Sequence, residues 1–448
     1  MKARLALGVA ALASLALAAL PSVARANPLD TFGFGSRGTA MGGAVSADTK
    51  DVSANYYNPA GLARAPGLEI SFGYFRAEHY LKTNGQDNHV DPVKGLNAGV
   101  VAPGTILGVP FAFGLGLHLP DDRLSRVRAL RQEQPRWELY DNRNQRLYFA
   151  TNVAVSPWPW LELGAGLSFM SSTRGRLDIS GTANIFRPEQ SQLRHEVDAD
   201  LTAIRYPQAG MRVNLGSRAS LALVYRGEFQ LDLDLKARLN GDISQLTTAY
   251  YALEAFSVNA FLPRQVVIGS SWKITKDFRA NVDLTWIQWS AYISPVAHLN
   301  VALDIPPPAG GWPANITPPS TPAPTKVVPL EMQDRVVPHL GFEWRALHKA
   351  HTEGFVRGGY EFAKSPVRAQ RGVTNYLDRD RHSISAGLGV RLLAPIKELP
   401  GDVRFDVHTQ LSVLPDRITM KNDPSDFIGD YSAGGHIWNV GVTTSVGF

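Results

Sequence analysis

The feature that most constrains this sequence is an alternation of apolar and polar residues, sustained over segments of ten residues or more. Period-two alternation is typical of a β-strand with one apolar face and one polar face. Strands of soluble sheets are usually about five or six residues long, whereas a tilted strand needs about 9–11 residues to cross a bilayer. The long segments therefore favour strands that span a membrane. In residues 401–413 the apolar parity holds Val403, Phe405, Val407, Leu411 and Val413, and the polar parity holds Arg404, Asp406 and His408.

Alternating segments recur from residue 68 to the end of the sequence. Longer polar stretches follow the odd-numbered segments, and short links such as residues 216–218 and 274–277 follow the even-numbered ones. Long connections at one end and short turns at the other are typical of an outer-membrane barrel. The sequence therefore predicts an all-β fold, a transmembrane antiparallel β-barrel of about 14 strands over residues 68–448. The apolar parity is expected to face lipid and the polar parity the lumen.

The composition excludes several classes of protein. The chain contains no cysteine, which rules out disulfide frameworks, thiolate nucleophiles and cysteine zinc sites. The formal net charge of +5 is too small to suggest a nucleic-acid partner. No G-x-S-x-G or H-E-x-x-H motif occurs, and the glycines of residues 33–38 lack the preceding strand that a nucleotide site needs. We therefore expect no catalytic residue, no metal and no cofactor.

The first residues are typical of an export signal. Lys2 and Arg4 precede an apolar run over residues 5–20, and residues 24–26 form an A-x-A cleavage site. We expect a signal peptide over residues 1–26, cleaved after Ala26, and the outer membrane of a Gram-negative bacterium as the destination. The last residue, Phe448, closes an alternating strand and resembles the signature by which the barrel-assembly machinery recognises its clients. Interfacial aromatic girdles are expected at strand ends, at Trp158, Trp160, Trp286, Trp289, Tyr292 and Trp438.

Residues 27–67 precede the first strand and show no long alternation. They are rich in glycine, alanine and serine, with Gly33, Gly35, Gly38, Gly42 and Gly43 closely spaced. Small residues let a chain fold tightly in a restricted space. The segment is therefore interpreted either as an N-terminal hatch inside the lumen or as an exposed leader.

Several short motifs recur along the chain in one specific combination. They are residues 35–44 (GSRGTAMGGA), 58–62 (NPAGL), 225–228 (YRGE), 286–292 (WIQWSAY), 365–370 (SPVRAQ), 378–382 (DRDRH) and 385–387 (SAG). This combination resembles the FadL/TodX family of outer-membrane transporters for long-chain fatty acids and aromatic hydrocarbons. The resemblance implies a fourteen-stranded barrel with a lumenal hatch that carries the motif Asn58, Pro59 and Ala60. It also implies a passive transporter that is not an enzyme.

The resemblance further implies a route for a hydrophobic ligand. The ligand is expected in a lumenal pocket beside the start of the hatch, at Asn27, Pro28 and Leu29. It is expected to leave sideways at a kink in the third strand, where Gly114, Gly116 and Pro120 weaken strand pairing. Close packing of these glycines against the hatch is the alternative interpretation.

The polar parity also places arginines in the lumen. Arg174, Arg176 and Arg357 are candidates for binding a fatty-acid carboxylate, and salt bridges to the hatch or to neighbouring strands are the alternative. The identity of the ligand, fatty acid or hydrocarbon, stays open. Outer-membrane lipid and lipopolysaccharide are expected partners. A loop over residues 120–136 carries five arginines that suit lipopolysaccharide phosphates, and a solvated loop is the alternative interpretation: Arg123, Arg126, Arg128, Arg131 and Arg136.

Three other functions compete with transport of hydrophobic molecules. A family relative that acts as a scaffold or shuttle for surface proteins would have a lumen packed shut, with no apolar pocket beside the hatch. A general porin would have a wide lumen and steady conductance. A barrel hydrolase would turn over phospholipid or ester substrates.

Overall fold

The computed structural model covers most of the chain from residue 28 onward. The predicted signal peptide and Asn27 lie outside the described residues. Among the residues described, no helix combines the length and the apolar character needed to cross a membrane. The described residues are 28–122, 133–141, 147–183, 192–243, 247–292, 298–312, 321, 323–324, 328, 330–370, 374–395, 401–421 and 428–448.

Short helices occur before the first strand and in two connections. They are α1 (Pro28–Phe32), α2 (Ser36–Ala40), α3 (Ala54–Tyr57) and α4 (Glu138–Asp141), with the 3₁₀ helices η1 (Pro59–Arg64) and η2 (Trp289–Ala291). The strands are β1 (Glu69–Thr83), β2 (Gln86–Asp87), β3 (Val93–Ile106), β4 (Val109–Pro120), β5 (Tyr148–Trp158), β6 (Leu161–Ala183), β7 (Gln192–Leu215), β8 (Ala219–Arg226), β9 (Phe229–Ile243), β10 (Thr247–Leu262), β11 (Gln265–Lys273), β12 (Phe278–Ile287), β13 (His298–Asp304), β14 (Arg335–Lys349), β15 (Thr352–Ala363), β16 (Arg381–Leu393), β17 (Asp402–Thr419) and β18 (Tyr431–Gly447).

The strands form one closed wall. Successive strands pair with each other in antiparallel register, and β1 pairs with β18, so that Glu69 lies opposite Gly447. The wall has 14 strands, because β8 and β9, β10 and β11, and β12 and β13 are parts of interrupted strands and β2 extends a hairpin. The predicted fold class is therefore confirmed. We call the end of the barrel with the short turns the inner end and the end with the long connections the outer end.

The two faces of the wall follow the alternation in the sequence. On β17, Phe405 and Val407 are exposed on the outside of the barrel, whereas Asp406 and His408 are buried on the lumenal side. This is the orientation that the alternation predicts.

At the outer end, some strands continue beyond the closed part of the barrel. There β6 leaves its neighbour β5 and pairs in parallel with β9, with Gly175 opposite Leu235. Together with β7, β10 and β13, these strands form a projecting sheet. The departure begins where Gly227 donates its backbone N–H to the carbonyl of Pro207 at 2.8 Å.

Residues 28–67 lie inside the barrel, and we call this segment the hatch. Helix α2 packs against β15, β16, β17 and β18, while η1 packs against β3 to β7 on the opposite side of the lumen. Small wall residues permit this approach: a Cβ added to Gly164 would lie 2.4 Å from the backbone nitrogen of Ala60. The hatch therefore fills the cross-section of the barrel.

Candidate functional site

The inner half of the lumen is crossed by a network of charges between hatch and wall. Arg37 of α2 is ion-paired with Asp48 of the hatch, and its Nε lies 2.9 Å from Glu343 on β14. Arg279 on β12 also pairs with Asp48. Arg357 on β15 joins Glu343 at 2.8 Å to Asp406 on β17 at 2.6 Å. We call these residues the inner ionic cluster: Arg37, Asp48, Arg279, Glu343, Arg357 and Asp406.

Arginines of both the hatch and the wall stabilise the charged form of the hatch carboxylates in this region. Burial alone would raise the pKa of Asp48, but the guanidinium groups of Arg37 and Arg279 outweigh burial and hold that pKa below its usual value. Burial likewise opposes ionisation of Asp51, and Arg404 of β17 with Arg37 lowers its pKa. In the docked hatch these arginines therefore hold both buried carboxylates in the charged form.

Asn55 of α3 ties the centre of the hatch to the wall. Its side-chain amide donates to the carbonyl of Leu115 on β4 at 3.0 Å and to that of Val100 on β3 at 3.4 Å. Its own backbone carbonyl accepts from the amide of Gln208 on β7 at 2.8 Å, and Asn152 on β5 donates to its side-chain oxygen at 3.0 Å. The residue is fully buried, so the hatch is held by directional bonds that replace bonds to water.

The predicted hatch motif caps a helix and touches the wall. Asn58 accepts a hydrogen bond from the backbone N–H of Ala60 at 3.0 Å and donates to the carbonyl of Ser46 at 2.8 Å. Pro59 follows at the first position of η1, where a missing N–H costs nothing. Asn58, Pro59 and Ala60 are all buried, and Asn58 lies so close to β7 that a Cβ on Gly210 would be 2.0 Å from its side-chain oxygen.

The glycines of the third barrel strand, β4, lie directly beneath the hatch. A Cβ added to Gly114 would lie 2.3 Å from the side-chain oxygen of Asn55, and one added to Gly116 would lie 3.0 Å from its Cβ. Residues from Phe111 to His118 are paired with both neighbouring strands, and Pro120 ends β4 opposite Gly95. The geometry here is that of close packing on the hatch, and a lateral opening at this strand stays a prediction.

A cavity of about 70 Å³ lies beside the start of the hatch. Leu29 and Asp30 of α1 line it from the hatch side. Tyr56 donates its hydroxyl to Asp30, whereas Arg226 on β8 donates to the backbone carbonyl of Tyr56 at 3.1 Å. Leu29 thus lines this cavity, and its role in ligand binding stays a prediction. Pro28 begins α1, but its side chain is outside the described residues.

A large apolar cluster lies in the outer half of the lumen, next to buried charged groups such as Arg136, Glu138 and Asp378. The inward-facing residues near the outer ends of six strands are buried hydrophobic residues, at the parity that carries polar side chains nearer the inner end. Segments between the strands fold inward and pack against them, and Phe32 of α1 touches Phe75 from below, with ring centroids 6.0 Å apart. We call this group the outer apolar cluster. Its wall residues are Leu81, Ile287, Val337, Ala363, Leu414 and Ile437, and its inward-folded residues include Trp137, Leu139, Tyr140, Trp289, Tyr292, Tyr376 and Leu377.

Two inward-folded segments, residues 136–140 and 374–377, pair with each other over the outer apolar cluster. Arg136 donates its backbone N–H to the carbonyl of Asn375 at 3.1 Å, and Leu377 donates to the carbonyl of Arg136 at 2.8 Å. The Arg136 guanidinium donates to the hydroxyl of Tyr376 at 2.8 Å and lies 4.7 Å from the centre of its ring. We call these two segments the outer lid.

The structure places several residues elsewhere than the sequence predicted. Trp289 and Tyr292 are buried in the lumen and do not join an aromatic girdle, because η2 turns the chain inward after β12. Arg136 is buried in the outer lid, ion-paired with Glu138 at 2.8 Å, so it does not face lipopolysaccharide. The other arginines of that loop, Arg123, Arg126, Arg128 and Arg131, lie outside the described residues.

The predicted carboxylate-binding arginines are not brought together. Arg357 lies in the inner ionic cluster, already paired with two carboxylates. Arg174 and Arg176 belong to the projecting part of β6, opposite Asp200 and Asp198 of β7, and their side chains lie outside the described residues. The residues that sequence reasoning missed are the apolar wall residues of the outer cluster. Their signal was a change along β1, where the lumenal parity passes from Glu69 and Ser71 to Phe75, Ala77 and Leu81.

Residues 143–406 match the family model described as outer membrane protein transport protein (OMPP1/FadL/TodX). The chain belongs to this family. As a FadL/TodX-family member it is an outer-membrane protein that transports hydrophobic molecules. No curated protein matches the chain.

Solved structures of this family share the fold at low sequence identity. A Pseudomonas aeruginosa FadL homologue is 12% identical with a TM-score of 0.57, over 93% of this chain and 98% of that one. The Pseudomonas putida toluene transporter TodX is 16% identical with a TM-score of 0.52, over 96% and 100%. The Ralstonia pickettii toluene transporter TbuX is 15% identical with a TM-score of 0.51, over 93% and 99%.

Proposed function

We propose that this FadL/TodX-family protein carries fatty acids or hydrocarbons across the outer membrane passively, without catalysis. The observation that carries the proposal is the outer apolar cluster, in which hydrophobic side chains of six strands and of the inward-folded segments meet in the outer half of the lumen. A water-filled porin has a polar lumen, so an apolar one favours a ligand that gains free energy by leaving water.

Entry is proposed to occur through the outer lid. The outer lid closes over the cluster in this structure, and a cavity of about 70 Å³ remains beside the hatch. A hydrocarbon ligand therefore needs the lid to move and would replace the contacts of Trp137, Tyr140 and Tyr376 with its own. Such an exchange of one apolar contact for another costs little, because the buried area is conserved.

Exit is proposed to follow a movement of the hatch. Asn55 bonds to the paired carbonyls of Val100 and Leu115, so withdrawal of the hatch would free both backbone groups and empty the space over Gly114 and Gly116. Backbone groups freed in this way need new partners, which lipid does not supply. A ligand leaving sideways at β4, or water entering behind it, would accompany that change.

A hatch deletion tests the transport proposal. Removal of residues 28–67, with the export signal retained, should give a barrel that conducts ions in planar bilayers yet delivers oleate or toluene to cells poorly. Surface amount and heat-modifiable migration must match those of the full chain. An electrically silent truncated barrel, or normal uptake through it, would contradict the proposal.

A point substitution separates the transporter from the general porin. Leu81→Asn places an amide in the outer apolar cluster, whereas Lys82→Asn, at the next residue of the same strand, changes a side chain that is exposed on the other face of the wall. We expect the first to reduce uptake of hydrophobic probes and the second to leave it unchanged. Equal uptake by both variants would mean that hydrophobic ligands do not pass through the outer apolar cluster.

A further inference from the structure

At the inner end of the barrel, three cations lie in a row on neighbouring strands. Arg279 of β12 is directly opposite Lys273 of β11, and the backbone N–H of Lys273 donates to the carbonyl of Arg218, the residue before β8, at 2.8 Å. Like charges that oppose each other across a sheet destabilise it. This row is therefore a cost to the wall unless an anion lies beside it.

The three cations line a cavity of about 230 Å³ between the wall and the hatch. Lys50 lines it from the hatch, and Arg212 of β7 lines it from the wall. Among the described residues, it shares no lining residue with the cavity beside the start of the hatch. It lies at the end with the short turns, so a solute reaches it from the inner side of the membrane. We call it the inner basic cavity.

Most of the positive charge in the inner basic cavity is unpaired. Arg212 is ion-paired with Glu162, and Arg279 is ion-paired with Asp48. Within the described part of the chain, the three other cations are exposed and have no ion pair or side-chain hydrogen bond: Lys50, Arg218 and Lys273. Asp48 is the one acid among the described lining residues, so the cavity has an excess of about three positive charges.

The surroundings of the Lys50 ammonium are themselves positive. Partial burial lowers the pKa of Lys50, Asp48 opposes that shift, and the guanidinium groups of Arg279 and Arg37 add to it. An anion next to the ammonium would therefore stabilise its charged form.

Hydrogen bonds fix the hatch to the wall at the inner basic cavity. Ser220 of β8 donates its hydroxyl to the carbonyl of Ala47 at 2.7 Å, and Arg212 donates to the carbonyl of Thr49 at 2.6 Å. Lys50 directly follows this anchored backbone. Binding here needs little further ordering of the chain, which favours affinity.

We propose that the inner basic cavity binds a small oxyanion of the phosphate-ester class, with two or more negative charges, which joins the hatch to the wall. The residues assigned to it are Lys50 from the hatch and Arg218, Lys273 and Arg279 from the wall. Phosphate oxygens accept charge-assisted hydrogen bonds from ammonium and guanidinium groups alike. The inference does not depend on which hydrophobic molecule the barrel transports.

The dimensions and the neighbouring charges favour a small solute over an acidic segment of a periplasmic protein. The cations are confined to a cavity of about 230 Å³ beside the hatch. In the adjoining turn, Asp277 is half exposed, and it would repel an acidic protein surface that extended past the cavity.

Calorimetric titration of the purified full chain with pyrophosphate, in an uncharged detergent, tests the site. About 150 mM NaCl screens weak contacts between distant surface charges. We expect the native protein to bind, and Lys50→Gln and Lys273→Gln each to lose about tenfold or more in affinity. Lys273→Arg, which keeps the charge, should retain most of it. Lys349→Gln is the control, because Lys349 is an exposed lysine at the inner end of β14 that is not among the lining residues.

The outcomes distinguish the site from its alternatives. Absence of pyrophosphate binding by the native protein would overturn the site without any variant, and so would equal affinity of the native protein and both glutamine variants. Tighter binding of a tetraglutamate peptide than of pyrophosphate would overturn the phosphate assignment in favour of an acidic protein segment. A loss with Lys273→Gln but none with Lys50→Gln would overturn the link between hatch and wall. Because Lys273→Gln relieves repulsion between like charges, its unfolding in urea should need no less denaturant than that of the native protein.

Discussion

In the inner half of the lumen, a network of six charges joins the hatch to the wall. In the outer half, aromatic and aliphatic side chains make most of the contact between the lid and the wall, with a few hydrogen bonds such as that from Trp137 to Asn88. The difference concerns what a ligand is able to replace. A hydrocarbon takes over an apolar contact at little cost, but it offers nothing to a buried carboxylate that loses its guanidinium. The outer closure is therefore suited to opening for the ligand, and the inner closure to holding until the hatch moves as a unit.

The largest expected effect comes from removing the shared carboxylate of the inner ionic cluster. Glu343→Ala leaves Arg37 and Arg357 without this partner, and loss of one partner from a buried ion pair costs about 3–5 kcal/mol. We expect the hatch to undock and ion conductance in planar bilayers to rise. The control Glu331→Ala breaks an exposed pair with Arg368 and should cost less than about 1 kcal/mol. Silent channels in both variants would mean that the cluster does not hold the hatch.

A reversible lock on the outer lid should abolish uptake with no effect on the hatch. The chain has no cysteine, so Arg136→Cys combined with Tyr376→Cys gives one pair of thiols at residues that already form a backbone bridge. Oxidation should reduce uptake of oleate about tenfold or more, by fixing the two segments together, and reduction should restore it. The single variants supply the controls. Undiminished uptake by the oxidised double variant would show that ligands bypass the lid.

The pH dependence of ion conductance should come from the carboxylates that dock the hatch in the inner half of the lumen. The pKa values of Asp48 and Asp51 are lowered in the docked hatch, so their contribution is fully present above the ordinary carboxyl pKa of about 3.9 and is lost as pH falls below it. We expect constant, low conductance from pH 8 to about pH 5 and a rise below about pH 4. Asp48→Asn should raise conductance already at neutral pH. A rise between pH 7 and pH 5 would point away from these carboxylates.

The sequence predicted the inner half better than the outer half, for physical reasons. Alternation over ten residues determines which side chains face the lumen. The small residues of the hatch, together with Asn58, indicate close packing. The outer lid depends on a contact between Arg136 and Tyr376, two residues 240 positions apart, which no local pattern encodes. Trp289 lies in the lumen and not in the predicted aromatic girdle, because η2 turns the chain inward after β12.

The smallest expected effect comes from adding a methyl group to a glycine of the third barrel strand, β4, and it tests what this strand does. Gly114→Ala would place a Cβ 2.3 Å from the side-chain oxygen of Asn55 and 2.7 Å from Leu62, so the hatch must shift, at a cost of about 1–3 kcal/mol as for overpacked cores. Gly104→Ala on the neighbouring strand meets nothing within 4 Å and should be neutral or slightly stabilising. Unfolding in urea measures the cost, and uptake of oleate measures its consequence.

The direction of the uptake change then separates the two interpretations of β4. If the glycines only make room for the docked hatch, Gly114→Ala weakens docking and uptake stays the same or rises. If they form the lateral exit, even a small side chain narrows the opening, and Gly116→Trp, which fills it, should reduce uptake at matched surface amount. A fall with Gly116→Trp but not with Gly104→Ala would place the exit at β4. Normal uptake by both the Gly116→Trp and Gly104→Ala variants would indicate that the ligand passes down the lumen beside Asn55. On that route the hatch would have to break its hydrogen bonds to the wall each time a ligand passes.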